Sequence, residues 1–425
     1  MKTKFKIWHL LVLTLLLVII LRFNFIYNLI LLLISFIQLL INNPDLAVQQ
    51  LNLNLLDYFA SLSFLIAAPL ILFYKKNKIR FLFYKAGFTD SILTMLVIFT
   101  VIAPVAAPSQ FDFQHNISIS KLLPPLSSKK IVYLEKENDE KDEVHDFVRQ
   151  RDVVYNKGIA GEYIIADSIT ANGDLTIYQK NKKQIISKED IQTKKITPEI
   201  STIVFLFGTD EFGRDIFSRL IYGTRLALFV GLGSVLISFL IGLIMGFTAG
   251  YLGGIVDTLL NRLTDIFLAF PIIFLIILIV GLFGNSVFTV VSVLGCAGWM
   301  SLFKIVRNET ATLKNKDFII STKFLGFSNL HILFKEMFPI MLPSIIVNLV
   351  LLYGNVIIAE SALSYLGLGL GNNYPSWGAM IEAGQYYLSK AWWISFFPCL
   401  FLFLTLLTAN HFGSRLKINF NIKSD

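Results

Sequence analysis

Charge is scarce in this chain. Asp, Glu, Lys and Arg make up 16% of its 425 residues, against 55% hydrophobic residues, where a soluble domain carries about a quarter charged. An ordinary water-soluble fold is excluded on that ground. Cysteine is nearly absent: Cys296 and Cys399 both lie in apolar runs, so no disulfide framework is available. The five histidines, at 9, 115, 145, 331 and 411, are scattered. There is no His-Glu-x-x-His pair to hold zinc and no glycine-rich Walker loop to cradle a nucleotide phosphate. Metal hydrolysis and direct ATP binding therefore have no sequence support. The formal charge of +8 does not call for nucleic acid, because membrane proteins gather Lys and Arg in their cytoplasmic loops.

What the chain has instead is long apolar runs, several near the ~20 residues a helix needs to cross a bilayer. Only a helix satisfies its own backbone groups there, so the expected fold is an all-α polytopic membrane protein. Residues 7–41 are apolar apart from the Arg22–Asn28 stretch and form one long span or two short ones. The N-terminus resembles a signal peptide but has no small-residue cleavage site, and is expected to be a retained anchor. A further run covers 53–73. A basic connector, 74–85, is expected in the cytoplasm, and 91–107 crosses outward to Pro104 and Pro108.

Residues 127–202 break the pattern. They hold thirteen Lys/Arg and fourteen Asp/Glu, too many for lipid, and read as an outward-facing insert, a small α+β module. Residues 172–186 alternate after an Asn-Gly turn as a strand or hairpin would, and 135–143 reads as a solvated charge run. Five more spans follow, at about 225–249, 263–283, 286–305, 341–366 and 393–411. Their alternation puts the 306–340 segment, with Lys304, Arg307, Lys314, Lys316, Lys323 and Lys335 at or near it, in the cytoplasm with the tail. The expected division is 1–85 for the N-terminal spans and connector, 86–126 for the outward span, 127–202 for the insert, 203–417 for a transmembrane domain and 418–425 for the tail.

The segment 317–339 reads DFIISTKFLGFSNLHILFKEMFP. Phe318–Leu325 suits a short helix that Gly326 ends in a left-handed conformation. Ser328 suits the N-cap of a second helix, Asn329–Phe338, and Pro339 and Pro343 then start the next span. Its apolar side chains, Phe318, Ile319, Phe324, Leu325 and Phe327, fit an amphipathic helix in the headgroups or a docking knuckle for a cytoplasmic partner.

That segment resembles the cytoplasmic loop of ABC importer permeases that typically reads Glu-Ala-Ala, three residues, then Gly. The resemblance implies a coupling helix seated in an ATPase subunit, and favours the docking reading. Gly326 matches the family glycine, while Ile320, Ser321 and Thr322 stand where Glu-Ala-Ala is usual. Similar in the same order are FGTDEFGRDIFSRLIYGTRLALFVG (207–231), the Asp257, Arg262, Asp265 and Pro271 pattern of 253–271, and AESALSYLGLGLGNNYPSWGAMI (359–381). These resemble the dipeptide/oligopeptide subfamily over about 203–417, and GSRLK (413–417) stands for its last element. The spans before 85 and the insert fall outside that pattern. The resemblance implies a type I permease bundle with extra N-terminal spans and an extracytoplasmic insert. It further implies coupling through Phe318, Ser321, Thr322, Lys323, Leu325, Gly326, Phe327, Ser328 and Lys335.

Other residues carry two readings each. In 208–215, Gly208 and Gly213 make turns while Thr209 follows the first; Asp210, Arg214 and Asp215 pair locally, as a rigid outer loop or as a contact for a partner. Asp257, Arg262 and Asp265 read as a snorkelling arginine with local ion pairs or as gating groups. Glu360 shares a helix side with Tyr353, Ser364 and Gly367; that stripe is a hydrogen-bonded seam or the lining of a passage. Gly242, Gly246 and Gly250 present a small-residue face for close packing. The YPSWG turn, with Trp377 as an interfacial anchor, reads first as structure and second as closure of an outer gate.

The family resemblance implies a non-enzymatic subunit of an ATP-driven importer in the bacterial inner membrane, moving di/oligopeptides or similar small solutes. It holds no cofactor of its own; ATP and Mg belong to a partner. The implied partners are a second permease subunit, two ATPase subunits, an extracytoplasmic substrate-binding protein and membrane lipid, with no nucleic acid. Two alternatives from other classes are a stand-alone secondary transporter or channel, and a membrane scaffold or enzyme acting through the 127–202 insert.

Overall fold

The computed structural model describes residues 7–74, 88–136, 143–155, 157, 162–172, 174–179, 182–186, 196–371 and 374–421. All of the expected basic connector (74–85) but its first residue, and most of the charge run at 135–143, lie outside them. The described residues contain six helices long and apolar enough to cross a membrane, and up to eight if two sharply bent helix pairs are each one span. They belong to two compact units, 1–225 with 383–398, and 226–382 with 399–425.

In the first unit the long N-terminal apolar run is two helices, Ile7–Leu21 and Phe23–Asn42. Pro44–Gln50 and Leu53–Pro69 then form a pair bent by 92°, and Phe88–Ala106 follows. The polar insert is the expected α+β module. Its strand β1 (Ser127–Lys136) is the centre of a three-stranded antiparallel sheet, between β2 (Glu162–Ala166) and β6 (Ile196–Phe205), with Lys130 opposite Ala166 and Ser127 opposite Phe205. A second antiparallel sheet is the meander β3 (Ser168–Asn172), β4 (Asp174–Gln179) and β5 (Lys182–Ile186), with Asn172 and Asp174 paired across the expected turn. The strand β6 carries the module three residues past its expected end, to Phe205.

The insert does not stand apart from the apolar helices. Its helix, Glu143–Tyr155, turns Phe147 and Val154 into a core with Leu29, Leu32, Leu55 and Leu65. Phe36 and Phe147 lie 5.9 Å apart, and the Ser35 hydroxyl donates to Gln150 Oε1 at 2.8 Å. Burying two large aromatic and aliphatic side chains contributes roughly 2 kcal/mol each. Sequence periodicity gave no sign that this charged segment would share a core with the most apolar part of the chain.

The second unit contains one close helix pair made by glycine. Gly242, Gly246 and Gly250, on successive turns of Ile216–Leu252, face Leu302, Val306 and Thr310, on successive turns of Val287–Leu313. A Cβ at Gly246 would stand 2.7 Å from Val306 Cβ. Glycine is what lets these backbones approach, as expected of a small-residue face in a membrane helix.

One expected span needs correction. Residues 263–283 are not a continuous helix: Gly254–Ala269 and Ile272–Phe283 meet at an 84° bend. Pro271 lacks an N–H and forces the residue before it out of the helical region, and Phe270 is extended, at φ −89° and ψ 132°. A second correction concerns 329–338, expected as a helix separate from the following span. A π-helical turn, Ile332–Met337, carries the chain through Pro339 without interruption, so Asn329–Tyr365 is one helix of 37 residues. The wider turn accommodates a proline that cannot donate to the ladder.

Candidate functional site

The segment 317–338 folds from its own local signals. The Asp317–Phe324 helix ends at Gly326, whose φ is +84°. Ser328 caps the next helix by accepting the His331 N–H at 3.3 Å. Three apolar residues hold this elbow to the second unit: Ile319, Ile332 and Met337 are buried in a core with Leu302, Val306 and Met341. Tyr251 adds a hydroxyl bond to Asn329 at 2.6 Å, and Lys314 donates to the Tyr251 carbonyl at 2.6 Å. The other side of the elbow is open. Phe324 is 87% exposed, Leu325 76% and Leu330 67%. Phe318 and Phe327 are also exposed, with Phe327 stacked on His331 at 4.6 Å. Ser321, Lys323, Gly326, Ser328 and Lys335 share that exposure, and Thr322, half-buried, donates to the Phe318 carbonyl at 2.8 Å.

Residues 208–215 are placed very differently. Thr209, Asp210, Arg214 and Asp215 are all buried. Asp210 Oδ1 accepts the amides of Phe212 and Arg214 at 2.9 and 2.8 Å, and its Oδ2 accepts Arg214 Nε at 2.6 Å. Gly208 and Gly213 turn the chain at φ +79° and +74°. The expected pairing of Asp215 with Arg214 is not what forms. Asp215 instead caps the Ile216–Leu252 helix, accepting the Ser218 amide at 2.8 Å and hydroxyl at 2.6 Å. Burial nevertheless pushes its carboxyl up to about 6, because a desolvated carboxylate prefers its proton. Burial also pushes Glu211 up. Thr209 accepts from the Trp393 indole at 3.2 Å through its carbonyl and donates its hydroxyl to the Ser120 carbonyl at 2.5 Å.

The intramembrane polar residues separate into two groups. Glu360 is buried and accepts bonds from Ser364 and Ser376 at 2.8 Å each and from Ser361 at 3.5 Å. Trp377, expected at an interface, is buried beside Phe401 at 6.1 Å, since its turn folds onto the Asn329–Tyr365 helix, with Ser376 donating to Glu360 and Gly378 packed on the Ser361 backbone. Asp257 and Asp265 do not pair with Arg262, which is exposed. Their partners come from the Val287–Leu313 helix: Arg307 makes two bonds to Asp257, with Nε to Oδ1 at 2.7 Å, and Lys304 lies 3.3 Å from Asp265. Local spacing pointed to Arg262; packing of a neighbouring helix decided otherwise.

Sequence reading missed a polar layer in the first unit. Arg225 grips Asp57 through two bonds of 2.5 and 2.6 Å. Arg22 donates to the Val105 and Ala107 carbonyls at 3.2 Å each, and Lys157 of the insert to that of Pro104. These are the free carbonyls at the end of Phe88–Ala106, the place where helix polarity favours cations. The one available signal was Arg22 itself, a lone charge inside an apolar run.

Residues 238–417 match the family described as the binding-protein-dependent transport system inner membrane component. The dipeptide transport system permease protein of Bacillus subtilis is 39% identical over 212 residues, half of this chain and 66% of that protein. The di/tripeptide permease of Pseudomonas aeruginosa is 34% identical over 213 residues, again half of this chain and 70% of its own length. The oligopeptide permease of Escherichia coli K12 is 38% identical, with half and 70% covered. A solved structure of an inward-facing methionine ABC transporter covers 47% of this chain and 97% of its own at TM-score 0.37 and 15% identity, a likeness that carries no argument. The chain belongs to the family of inner-membrane components of binding-protein-dependent transport systems, and is a multi-pass membrane protein. The matched segment spans about two thirds of the length of these relatives. Within the family it falls among the dipeptide/oligopeptide permeases of ABC importers, as a transport subunit and not an enzyme.

Proposed function

We propose that this chain is one of two permease subunits in an ATP-driven importer for di/oligopeptides or similar small solutes, and that residues 318–335 transmit the ATPase stroke. The observation that carries this reading is the exposed elbow around Gly326. Its inner face is pinned by Ile319, Ile332 and Met337, while Phe324, Leu325 and Leu330 stand bare between lysines 323 and 335. An apolar knuckle rimmed by charge suits a cleft in a second protein, here each ATPase subunit carrying its own ATP and Mg. Because the second helix of the elbow continues unbroken into Asn329–Tyr365, a push on the knuckle is passed to a span as a rigid-body displacement. An extracytoplasmic binding protein delivers the solute, and the 127–202 insert faces the same outer side.

The test is a bulky residue at Gly326. Nothing stands within 4 Å of the position a Cβ would take there, so Gly326→Leu adds only about 1–2 kcal/mol of left-handed strain and leaves the fold in place. The variant should insert and assemble as the wild type does, while ATP-driven peptide uptake in proteoliposomes falls at least tenfold. Undiminished uptake rejects the docking role. Uptake driven by an ion gradient with no ATPase present points to a stand-alone transporter instead.

A further inference from the structure

The bend at Phe270–Pro271 opens a cavity of about 480 Å³ in the second unit, walled mainly by apolar side chains such as Phe267, Ile272, Ile276 and Leu352. Two side chains of its lining are polar: Ser301 and Asn355. Both are exposed, and both lie within helices apolar enough to be spans, Ser301 at the middle of Val287–Leu313 and Asn355 in the last third of Asn329–Tyr365. A third, Asn348, lies 3.5 Å from the Ser301 hydroxyl. Asn348 and Asn355 are seven residues apart and share one side of their helix with Leu352 and Ala359 of the cavity wall. The buried Glu360, bonded to Ser361, Ser364 and Ser376, lies roughly a third of a turn round the helix from that side. Polar groups exposed at this depth are costly against lipid and mark a passage or a partner. The backbone supplies a further acceptor. Pro271 has no N–H, so the Phe267 carbonyl loses its helical donor, and the free carbonyls of a broken helix are tolerated at membrane depth only in protein or along a water-filled cavity.

Resting on the importer reading above, we infer that this cavity takes the peptide main chain, with Asn355 and Ser301 as its hydrogen-bonding contacts and Asn348 positioning Ser301. The volume suits a short peptide segment. Neutral amide and hydroxyl groups both donate and accept, so they match an N–H and C=O repeat whatever the side chains are, while the apolar wall accepts those side chains without a fixed partner. A carboxylate or ammonium in the same place would bias passage by side-chain charge, and the lining contains none.

The experiment uses the whole reconstituted transporter with its binding protein. It compares uptake of tri-alanine with uptake of the analogues N-methylated at one amide at a time. The binding protein is common to every assay, so the ratio of natural to methylated uptake, compared between permeases, isolates this subunit. Asn355→Leu and Ser301→Ala should each lower tri-alanine uptake about tenfold, the scale of one unmade hydrogen bond. Each should also shrink the discrimination against one methylated analogue by the same factor. Asn355→Gln should retain part of it, and Thr248→Ala, at an exposed position elsewhere in this unit, should change nothing. Ser301→Ala removes one oxygen and guards against a folding artefact in the asparagine variants. Wild-type ratios in both Asn355→Leu and Ser301→Ala overturn the inference. A wild-type complex that moves no peptide at all while hydrolysing ATP overturns the peptide reading beneath it, and is told apart by that result.

Discussion

Replacing Asp210 by alanine should unlock the buried loop that precedes the Ile216–Leu252 helix. The carboxylate is 4% exposed and ties together two amides and the Arg214 guanidinium, with Arg219 Nε at 3.9 Å. Its removal takes the main counter-charge from two buried cations, leaving Arg214 with Glu211 at 3.9 Å and Arg219 with the Phe111 carbonyl at 3.4 Å. Breaking one side of a buried ion pair costs about 3–5 kcal/mol, a large part of a net stability of roughly 5–15 kcal/mol. At about 2–4 °C per kcal/mol for a unit of this size, the melting temperature in detergent should fall by roughly 10 °C. Trp393 donates to Thr209 in the same loop, so tryptophan fluorescence should report the loss. Asp210→Asn keeps an acceptor for the two amides and loses the charge, and should fall between alanine and wild type. An alanine variant melting within about 2 °C of wild type refutes the reasoning, since stranded cations that cost nothing cannot be what this carboxylate prevents.

Two groups in the first unit should give opposite pH slopes. Burial holds His115 down to about 4, with both ring nitrogens unpartnered among the described residues between Phe113 and Phe205. The unfolded chain therefore takes up its proton first, and stability is lost as pH falls through about 6.5 to 4. Asp215, raised to about 6, binds its proton more tightly in the fold, so its contribution is lost as pH rises from about 4 to 6. Melting curves across pH 4–7 should tilt toward acid stability in His115→Phe and away from it in Asp215→Asn; a reversed tilt in either variant contradicts the assignment of that residue. His115→Phe should also raise the melting point at pH 7, because it removes buried polar atoms. Gly246→Val should cost about 1–3 kcal/mol through overpacking against Val306, visible as a lower melting temperature with insertion unchanged. Asp257→Asn, losing a half-exposed ion pair with Arg307, should cost about 1 kcal/mol or less; a larger loss in detergent melting argues for a role beyond that pair.

Sequence alone determined the class of protein and the local features that follow from chain neighbours. Apolar length located the spans, Gly326 and Ser328 punctuated the elbow, and three glycines at four-residue spacing announced a close helix contact. Such signals are legible because they depend on backbone geometry and on residues one or two turns apart. Tertiary structure decided everything that needed a distant partner. It gave Asp257 to Arg307 rather than to Arg262, set Arg225 on Asp57 across 168 residues of chain, and buried Trp377 beside Phe401. It also brought a charged insert into the core of the N-terminal helices and set Asn355 beside the bend at Pro271. Side chains choose partners by proximity in three dimensions, and a hydrogen bond or ion pair between remote segments leaves no periodic trace in either one.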